Sequence, residues 1–154
     1  MKRVMLMLMT ILMFSLSAWG QSSVIIPIGN EVLTKNFLTS AKQIFNSNHM
    51  PLSMQSSKHG VFMEGLGDFS LMASVDAYTN GKIKEVSFLC GSMYWMGLEE
   101  ELSNAGYKLV KTGKATLGNG VSVPQKIYSN GLKRCLVRTL DNAMLQILFV
   151  RNTK

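Results

Sequence analysis

Two histidines and three methionines lie within one stretch of fifteen residues and are the side chains best suited to metal chemistry. They are His49, Met50, Met54, His59 and Met63. Imidazole nitrogens and thioether sulfurs are ligands that copper(I) accepts. Methionine is abundant in this chain, with 12 residues, and the spacing follows no fixed metal-binding rule. The stretch therefore supports one hypothesis, a copper-handling protein, beside the simpler interpretation of an exposed loop.

Residue patterns for catalysis are otherwise missing from the sequence. A serine or cysteine nucleophile needs a histidine base. After Gly20 the chain offers only His49 and His59, and both lie in the same polar connection. Ser92 follows Gly91 as a helix cap would, without the G-x-S-x-G sequence of a nucleophile elbow. No Cys-x-x-Cys or His-Glu-x-x-His sequence indicates zinc. We predict a protein that is not an enzyme and has no cofactor, with a small hydrolase using His49 and His59 as the alternative.

The charged residues are distributed unevenly along the chain. Residues 21–106 carry five basic and eight acidic side chains, whereas residues 107–154 carry nine basic side chains and one acid, Asp141. A basic surface attracts anionic partners. The candidate contact residues in the second half are Lys126, Tyr128, Lys133, Arg134 and Arg138. The alternative is that the acidic first half neutralises the basic second half within one molecule.

Residues 1–20 have the organisation of a secretory signal peptide. Two basic residues precede an apolar run from Val4 to Leu16, and Ala18 and Gly20 are small residues of the kind that signal peptidase recognises. The leader is typical of a bacterial protein. We predict cleavage after Gly20 and export to the periplasm or the medium. The partner is then an anionic lipid, an acidic glycan or a protein rather than a nucleic acid.

The part of the chain after Gly20 is long enough for one domain that buries about two-thirds of its unfolded surface. No second apolar segment of about twenty residues follows, so we expect no transmembrane segment in the mature chain. We predict a lead-in at residues 21–30 and a single α+β domain at residues 31–154.

Hydrophobic spacing and turn residues predict the elements of this domain. They are a helix at Glu31–Asn46, an exposed connection at Ser47–Gly60, a hairpin at Phe69–Cys90, a helix at Ser92–Ala105, and strands at Tyr107–Thr112, Val121–Ser129, Leu132–Leu140 and Ala143–Arg151. Asn80-Gly81 predicts a two-residue turn in the hairpin, which places Val75 opposite Val86. The order of the elements predicts an antiparallel sheet with two helices packed on one face. The order helix, two or three strands, helix, four strands also suggests a weak tandem repeat of a helix followed by a meander.

Two cysteines in an exported chain suggest a Cys90–Cys135 disulfide. If Asn130-Gly131 and Asp141-Asn142 form two-residue turns, Leu132 and Leu136 share the core face with Ile147, and Cys135 points away from Cys90. The sequence therefore leaves open a disulfide and two separate buried thiols.

The last strand, Ala143–Arg151, is apolar on both faces. It is either a central strand covered on both sides, or a surface that meets a partner or a second copy in a homodimer. We predict a small exported binding protein that holds an anionic envelope component or a protein through its basic C-terminal sheet. An assembly subunit of the cell envelope is the second alternative.

Overall fold

The computed structural model of the protein describes residues 24–36, 38–63, 71–91, 97–140 and 144–152. The elements within these ranges are α1 (Ile25–Thr34), α2 (Leu38–Ser47), β1 (Leu52–Gln55), β2 (His59–Met63), β3 (Met72–Ala77), β4 (Ile83–Gly91), α3 (Leu98–Asn104), β5 (Lys108–Thr116), β6 (Ser122–Ser129), β7 (Lys133–Thr139) and β8 (Met144–Arg151). The predicted signal peptide, Phe69, Ser92 and Asp141 lie outside the described residues.

The eight strands form one antiparallel sheet in the order β1-β2-β3-β4-β8-β7-β6-β5. The prediction of an antiparallel α+β fold is confirmed, and the tandem repeat stays a prediction. The meanders β1–β4 and β5–β8 meet where β4 pairs with β8, from Glu85 opposite Val150 to Gly91 opposite Met144. The last strand therefore lies in the middle of the sheet, with both its edges hydrogen bonded. A homodimer contact through β8 could use only its outward side chains.

The first helical region consists of two helices rather than the predicted single helix. α1 begins at Ile25, within the predicted lead-in, and the chain is extended at Lys35 before α2 begins at Leu38. Pro27 lies in the first turn of α1. Backbone N–H groups of the first turn have no acceptor within the helix, so the N–H that proline lacks costs no hydrogen bond there. With α3, the described residues contain three helices instead of the expected two.

One face of the sheet carries the hydrophobic core, and we call it the core face. Phe88 of β4 and Phe149 of β8 meet edge to face there, with ring centroids 6.1 Å apart. α1 packs tightly on it, because a Cβ added at Gly29 would lie 2.5 Å from the Phe149 ring. The opposite face, which we call the outer face, contributes none of the described residues to this core cluster. None of the described helices is long and apolar enough to cross a lipid bilayer.

The prediction of an exposed connection at Ser47–Gly60 is partly wrong, because part of this segment belongs to a hairpin at the edge of the sheet. β1 pairs with β2, and His59 and Gly60 belong to β2. Met50 is only 1% exposed and packs in the core.

The first Asn-Gly hairpin has the expected register over its central part. Val75 lies opposite Val86, as predicted. The turn differs, however, because the Tyr78 N–H donates to the Lys82 carbonyl and encloses a three-residue loop. Gly81 has a φ of 82°, and the register shifts once between Asp76 and Ala77. A bulge of this kind accompanies three-residue loops, and it restores the predicted pairing.

The β7–β8 register is one residue from the prediction, and this changes which side chains reach the core. Leu136 lies opposite Leu148 instead of Ile147, and Cys135 lies opposite Phe149. The Leu140 N–H donates to the Met144 carbonyl, so three residues rather than two connect the strands. Because side chains alternate between faces, a slip of one residue moves Cys135 to the core face and Leu136 to the outer face.

Candidate functional site

The second half of the sheet places regular rows of side chains on the outer face. Leu148, Leu136 and Ile127 are cross-strand partners on β8, β7 and β6 and form an apolar row. The next row toward Met144 consists of Gln146, Arg138 and Gln125. On the other side of the apolar row lie Val150, Arg134, Ser129 and Lys108. Lys111 continues the apolar row on β5, opposite Ile127.

Arg138 lies at the centre of a hydrogen-bonded row on this face. Its Nε donates to Gln125 Oε1 at 2.8 Å, and its Nη1 donates to Gln146 Oε1 at 3.1 Å. The Gln146 amide nitrogen in turn donates to Ser87 Oγ on β4 at 3.2 Å. Both acceptors of the guanidinium are neutral amides, so these contacts orient the half-buried Arg138 without neutralising its charge.

Most cations of the second half remain uncompensated within the described residues. Lys126 forms an ion pair with Glu99 at 2.7 Å. Lys133 and Arg151 instead donate to backbone carbonyls of α1, Asn30 at 2.9 Å and Leu33 at 2.7 Å. The exposed cations Lys108, Lys111, Lys114 and Arg134 form no ion pair with any described residue. The Lys126–Glu99 pair is a contact of the kind expected if the acidic first half neutralises the basic second half.

The five predicted contact residues do not share one surface. Lys126 and Tyr128 lie on the core face, and both donate to Glu99 Oε1 at 2.7 Å. These hydrogen bonds lower the pKa of Glu99, with Lys126 contributing most. Burial, and then the hydrogen bond to Glu99, raises the pKa of Tyr128.

Lys133 also lies on the core side, beside a second buried tyrosine. Its Nζ approaches the Asn30 side chain, whose Oδ1 accepts a 2.5 Å hydrogen bond from the Tyr107 hydroxyl. Burial, with a smaller effect from nearby Arg151, lowers the pKa of Lys133. Arg134 and Arg138 are therefore the two predicted contact residues that lie on the outer face.

The residues of the copper hypothesis occupy different environments. His49 follows α2 with a φ of 60°, Met50 is buried in the core, and Met54 is 64% exposed on β1. His59 lies on β2, where its Nδ1 is 2.7 Å from Asp76 Oδ1, a partner that the sequence did not indicate. No group of three or more His, Cys, Asp or Glu side chains in the described ranges is arranged to hold a metal ion.

Cys90 and Cys135 are free buried thiols in the structure. Cys90 lies opposite Leu145 and Cys135 opposite Phe149, with β8 between them. Four residues along the strands and two strand spacings separate the thiols by roughly 16 Å. A disulfide requires Cα atoms less than about 7 Å apart. The two thiols thus pack as small hydrophobes, and burial raises the pKa of Cys90 to about 12.

Exposed apolar side chains are the feature that the sequence reasoning missed. Leu132 is predicted to lie on the core face, but it is 78% exposed in the β6–β7 turn. Leu109, Val110 and Val121 are also more than half exposed. Leu109 and Val110 lie on β5, whose outer edge pairs with no described strand. A signal for this edge was available in Lys108, Lys111 and Lys114, because lysines commonly mark strand edges.

Comparisons of this chain with protein-family models, with curated proteins and with solved structures find no match.

Proposed function

We propose that this protein is exported and binds an anionic partner through the outer face of β5–β7. The observation that carries the proposal is the uncompensated charge of this surface. Lys108, Lys111, Arg134 and Arg138 lie on this face, and none of them is ion paired within the described residues.

The surroundings of Arg138 support an anion site more than a merely solvated charge. The two glutamines hold the guanidinium by Nε and Nη1, and Nη2 makes no hydrogen bond to a described residue. A guanidinium that is already oriented loses less conformational entropy when it binds a carboxylate, sulfate or phosphate group.

Binding to heparin and to anionic vesicles across a salt series tests this proposal. The probe protein is the mature chain from Gln21 onward. We expect salt-sensitive binding that the double variant Arg134→Glu, Arg138→Glu reduces at least tenfold, because it reverses two charges on the proposed surface. Unchanged affinity of that variant would refute the outer-face assignment.

A matched variant distinguishes binding through this surface from a general effect of net charge on affinity. Lys42→Glu with Lys84→Glu makes the same change in net charge at two exposed residues of the first half. We expect this pair to weaken binding far less than the arginine pair. A third variant, Lys108→Glu with Lys111→Glu, leaves the Arg138 row intact and should also weaken binding. If all three lower affinity equally, only the total charge matters and the proposed surface is wrong.

A further inference from the structure

We propose that the anionic partner is a lipid bilayer, which one corner of the sheet contacts edge-on through exposed apolar side chains and cations. This inference rests on the proposed function and names its partner. The corner consists of the start of β5, residues 108–111, and the β6–β7 turn, residues 130–134.

The corner exposes large apolar side chains. Leu132 is 78% exposed, Val110 is 59% exposed and Leu109 is 53% exposed. Leu109 lies opposite Tyr128, on the core-face side of the edge strand β5, so it is exposed along this edge on the side opposite to Lys108. Four of the seven large hydrophobic side chains that are exposed in the described ranges belong to the basic second half. Exposed apolar groups beside basic ones are the composition of surfaces that bind the interface of anionic membranes.

The exposure of Leu132 is built into the turn. Asn130 Oδ1 accepts hydrogen bonds from the backbone N–H groups of Leu132 and Lys133, at 3.1 and 2.8 Å. From the other side, the Asn152 N–H donates to the Leu132 carbonyl at 2.8 Å, and its side-chain amide donates to the Gly131 carbonyl at 2.9 Å. These four bonds hold the backbone around Leu132, so its side chain is presented outward by an ordered turn.

The register brings the cations to the same corner. Lys108 lies opposite Ser129, and Ser129 lies opposite Arg134, so the start of β5 and the turn are two strand spacings apart. That distance is about 10 Å, which one patch of lipid headgroups spans. Lys108, Lys111 and Arg134 are exposed there without an ion pair to any described residue.

The apolar side chains favour a lipid over an acidic glycan. A sulfated glycan would pair with the cations and leave Leu109, Val110 and Leu132 in contact with water. A bilayer interface accepts both, because phosphates meet the basic groups and the leucine side chains reach the acyl boundary. Each basic residue near an anionic surface raises affinity about fivefold, and burial of one leucine raises it tenfold or more.

Vesicle binding by the mature chain tests the inference. The probes are vesicles of phosphatidylglycerol with phosphatidylcholine, and vesicles of phosphatidylcholine alone. We expect binding to the anionic vesicles, reduced at least tenfold by Leu109→Ser with Leu132→Ser. The matched control is Met54→Ser with Tyr78→Ser, which removes two exposed apolar side chains from the first half. The control should bind as the parent does, and circular dichroism should show all variants folded.

A second measurement reports insertion directly. In Leu132→Trp, we expect a blue-shifted tryptophan emission and quenching by brominated acyl chains when anionic vesicles are added, in excess of the parent's own tryptophan signal. Affinity unchanged by both serine pairs, with no added quenching in Leu132→Trp, would overturn the lipid inference.

Heparin separates the two proposals. Salt-sensitive heparin binding that depends on Arg134 and Arg138, together with no vesicle binding, would refute the lipid inference and leave the proposed function standing. The absence of binding to both probes at low salt would refute both.

Discussion

The hydroxyl of Tyr128 on β6 donates a 2.7 Å hydrogen bond to Glu99 Oε1 on α3, and this contact joins the helix to the second half of the sheet. Tyr128 is 4% exposed, so its hydroxyl has little access to water as an alternative partner. We expect Tyr128→Phe to lower the free energy of unfolding by about 1–2 kcal/mol, because the Glu99 carboxylate loses one of its donors. Urea denaturation measures this difference. The control, Tyr78→Phe at a tyrosine that is 48% exposed, should change stability by less than about 0.5 kcal/mol. Equal effects would contradict the structural role of the hydroxyl.

Alkaline pH should destabilise the protein. Burial is the main cause that raises the pKa of Tyr107 and of Tyr128, and it raises the pKa of the Cys90 thiol to about 12. These groups stay neutral in the folded chain while they ionise in the unfolded chain, near pH 9 for the thiol and pH 10 for the tyrosines. Their stabilising effect is therefore complete below about pH 8.5 and is lost as pH rises toward the folded values.

Unfolding free energies between pH 7 and pH 11 check this expectation. We predict a steady decrease above pH 9, with a shallower slope in Tyr107→Phe with Tyr128→Phe, which removes two of the titrating groups. A flat profile up to pH 11 would show that these groups titrate alike in both states.

Gly29 should tolerate no side chain. A Cβ at this position would lie 2.5 Å from the Phe149 ring, which is itself packed against Phe88 and Tyr107. We expect Gly29→Ala to lower stability by about 1–3 kcal/mol, since overpacking outweighs the gain of about 1 kcal/mol in helix propensity. Gly113→Ala is the control, because nothing lies within 4 Å of the added Cβ. A stabilised Gly29→Ala protein, measured by thermal or urea unfolding, would argue against this packing of α1.

Cys90 and Cys135 should react slowly with a thiol reagent such as DTNB. Both side chains are fully buried, and burial raises the pKa of each thiol, so the reactive thiolate is scarce. We expect two thiols to react in denaturant without reductant and almost none under native conditions. Denatured protein that releases no thiol until it is reduced would instead reveal a disulfide.

Processing of the leader is tested by mass spectrometry of the protein recovered from the periplasm or medium of an expressing bacterium. We expect a mature chain that begins at Gln21. Full-length protein that begins at Met1 in the membrane fraction would favour an uncleaved anchor.

The first hairpin illustrates how far sequence reasoning reached. Alternation of apolar residues, with Asn80-Gly81 between two runs, indicated the strands and the pairing of Val75 with Val86. The loop type was wrong, yet the bulge compensated for it. Local pattern suffices here because β3 and β4 are neighbours in both the chain and the sheet.

The residues of the candidate site were harder to predict from the sequence. The charge difference between the halves predicted Arg134 and Arg138, which lie on the outer face, together with Lys126 and Tyr128, which donate hydrogen bonds to Glu99 on the core face. The partners of Arg138 come from β6 and β8, so they follow from register rather than from composition.

The amino-acid sequence by itself determined the charge asymmetry, the antiparallel α+β class and the approximate positions of the C-terminal strands. These depend on residue composition and on short-range periodicity. Tertiary structure decided the β7–β8 register, the separation of Cys90 from Cys135 and the exposure of Leu132. The physical reason is that a strand's two faces differ by a single residue, so the length of one turn, chosen together with the packing of distant strands, decides which side chains are buried.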